Sequence, residues 1–412
     1  MLRFLPSLLL LCWALSGRAQ SAQYQQLMAR GKAEFKKEFA LQNYAAAVKT
    51  LEAAVRLQPA NPEAHYFLGY AYSRLNCKDG EALPRARLPL TLKASQEFET
   101  VNRLTPHYRG EELALDPYAK IASEWSSLAV HYTAIQKPDS ARWAYAQGRK
   151  RGGFSDFVLA NATALLQQCR PNGLLVSAGD AFTFPLWYLQ TMNGLRPDVT
   201  VVDVGLLGSR WFPALLENAA SVAFKLPGTL RDSIDYLPWK TTVITIPDAR
   251  TQLPFSWKVA PTVDSQYLYR TDVLLLALLQ GNGFKRDVYF TPAFPPEQQL
   301  GLRPNTELKQ QLVVHRVNAG NEPEPSLTEY LAGMKQVLPL VATANMNSGS
   351  EVMMVRTLRY GILDRLNRKL NENERPEIGP LVALVEQYFP TNKYPFESPD
   401  LQALYEYARA HQ

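Results

Sequence analysis

The feature that most constrains this chain is a pattern in its first third that repeats in a register of about 34 residues. Around "NPEAHYFLGYAYSRLN", Leu68, Gly69, Ala71 and Tyr72 take the positions of a first helix. Just upstream, Ala47, Leu51, Ala54 and Pro59 take those of a second. Small residues let two helices approach closely, large ones fill the groove between them, and proline ends the pair. Trp125, Leu128, Ala129 and Tyr132, then Ala141 and Tyr145, make another copy. Ala94, Phe98, Val101 and Pro106 give a further second helix, displaced by the insertion "KDGEALPRARLPL".

This spacing resembles the tetratricopeptide repeat, and residues 24 to 155 read as about three degenerate units of it. Such hairpins stack into a curved α-solenoid whose concave face binds a peptide or protein. The alternative is that so short an array packs on the domain that follows. "GRKRGG", with Arg149, Lys150 and Arg151, closes the array and answers a helix dipole, so no ligand is assigned to it.

At 412 residues the chain is long enough for two or three domains, and its 46% apolar and 20% charged residues are those of a globular protein. Residues 1 to 19 stand apart. "MLR" gives a positive start, "FLPSLLLLCWALS" an apolar run, and "GRA" a small-residue processing site ending at Ala19, which together read as a secretory signal peptide. Losing Arg3 and Arg18 takes the formal net charge from +6 to +4. So mild a charge, with export, argues against a nucleic-acid partner. No later run approaches about eighteen apolar residues, so a mature chain without a transmembrane segment is expected in the periplasm or cell envelope. Cys77 and Cys169 remain, and two thiols so far apart in sequence make no metal motif. They read as two separate buried thiols, although the compartment would permit pairing.

After the repeats the period changes. The helical segment "FVLANATALLQQC" leads to the apolar "GLLVSA", then a helix in "FPLWYLQTMNGL", then "VTVVDV", then a helix from "SRWFPALLENAA"; "TTVITI" and "DVYFTPAF" follow as further strands. Alternation of this kind predicts a Rossmann-like α/β domain over 156–320, built on a parallel sheet covered on both faces. In "GDAFTFPLWYLQ", Gly179 permits a tight strand exit, Thr183 is read as a helix N-cap and Pro185 as a first-turn residue. Phe184, Trp187, Tyr188 and Met192 recur at helical spacing as one buried face. Asp180 is left over at the carboxyl edge of a strand, where open parallel sheets bind ligands. With Asp203, Thr183 and Arg210 it forms the candidate ligand site, able to serve acid/base chemistry or hold a sugar's hydroxyls. The same Asp180 could equally bind N–H groups of its own loop.

The stretch from Gly179 to Trp211 resembles the start of the soluble C-terminal region of a Bacteroidota family of large envelope membrane proteins. The likeness rests on Gly179, Asp180, Thr183, Phe184, Pro185, Leu186, Trp187, Tyr188, Arg196, Asp198 and Trp211, and continues through "DVYFTPAFPPEQQLGLRPN". In that family the membrane-spanning part is similar to protein O-mannosyltransferases. This chain carries a repeat array in its place, and Ala181, Phe182 and Asp203 depart from the family's pattern. The resemblance therefore implies fold and compartment and gives no support to glycosyl transfer.

No G-x-S-x-G elbow, H-E-x-x-H pair, Walker loop or G-x-G-x-x-G is present, and the five histidines are scattered, so no metal and no cofactor is implied. "GNG" (281 to 283) reads as a helix C-cap, and "NMNSGSE" (345 to 351) as linker. A helical segment over 325–412 closes the chain, with Tyr360, Leu363, Leu366 and Leu370 on one side, which reads as core rather than interface. The expectation is a non-enzymatic envelope scaffold that binds a protein partner through its repeats. The competing class is a glycan-related enzyme or ligand-binding domain centred on Asp180.

Overall fold

The structure is a computed structural model that describes residues 5–249, 253–317, 323–372 and 375–411. The chain divides into two compact units, Met1–Gly153 and Phe154–Gln412.

Among the described residues the first unit has six α-helices: α1 (Leu5–Lys36), α2 (Tyr44–Leu57), α3 (Pro62–Asn76), α4 (Leu88–Leu104), α5 (Pro117–Ala134) and α6 (Pro138–Lys150). Their starts are encoded locally. The Asn43 side chain accepts from the Ala46 N–H at 3.0 Å, and Asn61 and Asp116 do the same service ahead of Pro62 and Pro117, whose missing N–H groups would be unsatisfied there anyway. Each helix packs chiefly on its neighbours in the chain, giving three hairpins, α1/α2, α3/α4 and α5/α6. The small and large residues of the repeat pattern form the interior: Ala47, Leu51, Ala54, Ala71, Phe98, Trp125, Leu128 and Ala141 are all buried. Gly69 is required by close approach, since a Cβ there would lie 2.9 Å from the Phe98 ring. The insertion at 78–90 folds as a 3-10 turn, Gly80–Arg85, and the first residues of α4.

The second unit begins with α7 (Asp156–Gln168), β1 (Leu174–Ser177), α8 (Asp180–Asn193), β2 (Thr200–Asp203), α9 (Trp211–Ala220) and α10 (Gly228–Ser233). Then come β3 (Tyr236–Pro238), β4 (Thr242–Pro247), β5 (Pro254–Val259), β6 (Tyr267–Tyr269), α11 (Arg270–Asn282), β7 (Val288–Phe290), β8 (Leu308–Gln310) and β9 (His315–Val317). The described residues after β9 carry the α-helices α12 (Leu327–Val337), α13 (Gly349–Asn371), α14 (Arg375–Tyr388) and α15 (Pro399–Ala410). The main sheet runs β2-β1-β7-β9-β8. β1 pairs in parallel with β2 and β7, with Val176 opposite Val202 on one side and Phe290 on the other, whereas β9 and β8 are antiparallel.

The sheet is thus mixed, and the expected all-parallel sheet is confined to three strands. The β8–β9 hairpin needs only a short connection, which antiparallel pairing alone allows. "TTVITI" also lies elsewhere: β4 forms a separate antiparallel ribbon with β5. Its burial explains why, since Ile244 and Ile246 are buried while Val243 and Thr245 face outward, the alternation of a one-faced strand. β1, by contrast, is buried at every position.

Gly283 ends α11 in the left-handed region at φ 52°, as "GNG" suggests. In "NMNSGSE", Ser348 caps α13 and the Glu351 carboxylate accepts from the Asn345 N–H at 2.8 Å. On α13 the buried stripe is Met354, Val355, Leu358, Ile362, Leu363 and Leu366; Tyr360 is 57% exposed, contrary to expectation, because it falls on the opposite side of the helix from Leu358 and Ile362. Cys77 and Cys169 are both free thiols. Among the described residues no helix is long and apolar enough to cross a membrane.

Candidate functional site

Because β1, β2 and β7 are parallel, residues 178–179, 204–210 and 291–295 all leave the sheet at its carboxyl edge. Three of the four candidate residues meet there. Gly179, at φ 80°, turns the chain out of β1, and its carbonyl accepts the first helical bond of α8, from the Thr183 N–H at 3.0 Å. α8 therefore starts at Asp180. Thr183 is not its N-cap but lies inside the first turns, buried, and Pro185 lies deeper still.

The Thr183 hydroxyl donates to the Asp203 carboxylate and is itself 2.7 Å from the Ser177 hydroxyl. With the Thr183 hydrogen committed to Asp203, Ser177 is the donor to Thr183. Asp203 also accepts from the Leu206 N–H at 2.9 Å. This chain ties β1, α8 and the turn after β2 together. Asp203 is 5% exposed, and burial pushes its pKa up to about 6 against the opposing pull of its hydrogen bonds, with the Asp180 charge adding to the rise. Asp180 is half-buried at the first position of α8, where a carboxylate meets the positive end of the helix. Arg210 is engaged elsewhere, in an ion pair with Asp235 at 3.0 Å. Ser177 was not singled out from the sequence; its signal is a hydroxyl closing an otherwise apolar strand, "LLVS".

Two further residues of the Gly179-to-Trp211 resemblance are structural. Arg196 donates to the carbonyls of Leu166 and Cys169 at 3.0 and 2.8 Å, satisfying the end of α7, and holds Asp198 in a two-pronged pair at 2.8 Å. The Arg196 guanidinium keeps the Asp198 carboxyl well below the usual carboxylate range.

The same sheet edge also opens on a cavity of about 450 Å³, which the sequence did not reveal. Its walls are mainly apolar, with Phe182 from α8, Phe290 and Phe294 around the end of β7, and Met353 and Met354 from α13. Its polar contributors include Thr291, Gln310, His315 and Asp364. Burial lowers the His315 pKa, against the opposing pull of Asp364. Thr291 is 1% exposed and its hydroxyl has no hydrogen-bond partner among the described residues. Neither Asp180 nor Asp203 lines this cavity.

Comparison with known families matches residues 36–76 to the TPR repeat and residues 158–246 to TMEM260-associated domain 2. The chain joins a tetratricopeptide repeat to a TMEM260-associated domain. No curated protein and no solved structure matches it. The TPR match spans the end of α1, α2 and α3. The TMEM260-associated match runs from α7 into β4, so it contains Asp180, Thr183, Asp203 and Arg210 but, of the cavity's lining, only Asn161 and Phe182; the rest comes from residues 290–401.

Proposed function

We propose that this protein is an exported scaffold of a bacterial cell envelope, periplasmic or envelope-associated, that captures a protein or peptide partner through its tetratricopeptide hairpins. The TPR match at residues 36–76, set in a stack of three hairpins, carries the reading. The positive start, apolar run and processing site of residues 1–19 support export. Affinity capture from the native envelope, with crosslinking, tests the scaffold: a partner enriched by the protein and lost on substitution of the hairpin surface supports it, and nothing above background counts against it. A mature chain beginning at Gln20 by mass spectrometry supports export, and an uncleaved chain in the cytoplasmic fraction removes it.

Ligand binding by the second unit is a second reading, favoured by the cavity and its orphan Thr291 hydroxyl. The cavity's apolar walls suit a ligand with an apolar body better than a bare sugar. The cluster of Asp180, Thr183 and Asp203 supports a glycan site less, because Thr183 and Leu206 already engage the Asp203 carboxylate. Thermal shifts with a panel of saccharides and amphiphiles separate the two: saccharide stabilisation lost in Asp180→Ala supports the glycan site, and amphiphile stabilisation lost in Met354→Trp supports the cavity.

A further inference from the structure

The junction between α4 and α5, residues 105–116, is far longer than the α2–α3 junction, residues 58–61. It crosses two first helices of consecutive hairpins, α1 and α3, and is held as a bound peptide would be. Tyr66 and Tyr70, one turn apart on α3, are 0% and 2% exposed beneath it. The Tyr66 hydroxyl accepts from the Leu113 N–H at 2.9 Å and donates to the Leu115 carbonyl at 3.0 Å. The Tyr70 hydroxyl accepts from the Leu115 N–H at 2.7 Å and donates to the same carbonyl at 3.1 Å. These bonds read backbone only, so they do not depend on the side chains of the segment.

Side chains add the selectivity. The Tyr108 ring stacks on Tyr66 with centroids 4.6 Å apart. Glu111 meets two lysines one turn apart on α1, Lys32 at 3.1 Å and Lys36 at 3.6 Å. Lys32 also lies over the Phe67 ring and pairs with Glu63. Most of the segment is nevertheless exposed: of residues 106–114, Tyr108 alone is fully buried.

We propose that the α1/α3 face is the partner-binding groove of this protein, and that residues 108–115 occupy it as a resident stand-in for the partner. The partner's chemistry follows from the stand-in: an extended peptide with an aromatic residue followed at close spacing by a carboxylate, then apolar residues. The proposal rests on the scaffold reading and specifies where and what that scaffold binds. A tethered occupant has an effective concentration on the order of millimolar, so a free peptide competes poorly until the tether's anchors are weakened.

The probe is a fluorescent peptide carrying residues 105–116, its binding to the full chain followed by anisotropy. Tyr108→Ala with Glu111→Ala removes both side-chain anchors of the resident segment, and the expected result is peptide affinity about tenfold above the parent's or more. Adding Tyr66→Phe and Tyr70→Phe on that background reverses the gain, and a peptide with lysine in place of the glutamate at 111 binds more weakly. Equal affinity in the parent and the anchor-free chain overturns the proposal. Should the double variant fail to fold, Glu111→Ala alone, an exposed change, keeps the test open: a gain of about threefold is expected, and a flat response overturns it equally. Partner capture separates this from the scaffold reading. A partner retained by the parent and by Tyr66→Phe/Tyr70→Phe alike leaves the scaffold standing and removes this groove.

Discussion

Thr183 stands between Ser177 and Asp203, taking a hydrogen bond from one and giving one to the other, so that a single hydroxyl joins the end of β1 to the end of β2. Thr183→Val keeps the shape and removes that link. It leaves a buried carboxylate one donor short and a buried Ser177 without its acceptor, at an expected cost of roughly 1–3 kcal/mol. Chemical denaturation of the variant against the parent measures it; an unchanged midpoint would show that the junction does not hold the fold.

The raised pKa of Asp203 sets the sign of a pH effect. Its folded value of about 6 lies above the unfolded value of about 3.9, so the folded state holds the proton more tightly. Its contribution is fully present below pH about 4 and is lost as pH rises through about 6, up to about 3 kcal/mol in all. Other carboxylates slope the opposite way, Asp198 among them. The readout is therefore the difference between the parent and Asp203→Asn across pH 4 to 7: the parent is expected to lose stability relative to the variant as pH rises, and parallel profiles would contradict the assignment.

Arg196 combines a clamp with an unusual backbone, since its φ is 46°. Arg196→Ala loses the bonds to the end of α7 and retains the left-handed conformation, while Arg196→Gly loses the same bonds and relieves the backbone. Both variants are expected to melt below the parent, with the glycine variant more stable than the alanine variant by about 1 kcal/mol. Arg196→Lys restores little, because an ammonium cannot span two carbonyls and a carboxylate as the guanidinium fork does.

Thr291 makes the reverse demand. Its buried hydroxyl has no partner among the described residues, so Thr291→Val is expected to leave the melting temperature unchanged or raise it. A clear loss of stability would show that the hydroxyl serves the fold, and would remove the main polar argument for a ligand in the cavity.

The hairpins were legible because their information is local. Ala47, Leu51 and Ala54 announce a helix contact by size and spacing alone; the caps Asn61–Pro62 and Asp116–Pro117 carry equally local information that the repeat pattern passes over. Thr183 was misread for the converse reason: its partner Asp203 is twenty residues away, and a capping rule sees only the nearest few. The ribbon strand β4 shows its outward alternation at Val243 and Thr245, a signal masked by its general apolarity. The cavity could not be read at all, because Phe182, Phe294, His315 and Met354 come from four separate stretches. Nor could the 105–116 segment, whose polar, aperiodic residues give no hint that Tyr66 and Tyr70 grip its backbone.

The grip of those tyrosines changes how the first unit would answer a pull on its two ends. A stack in which each helix leans chiefly on its neighbours has no main clasp and peels away hairpin by hairpin under load. Tyr66 and Tyr70 fasten α3 to residues that lie beyond α4, and Lys32 fastens α1 to the same span, so the first two hairpins are laced across rather than merely stacked. Stretched, those two hairpins and the span they hold should give way together in one larger step rather than peel apart singly.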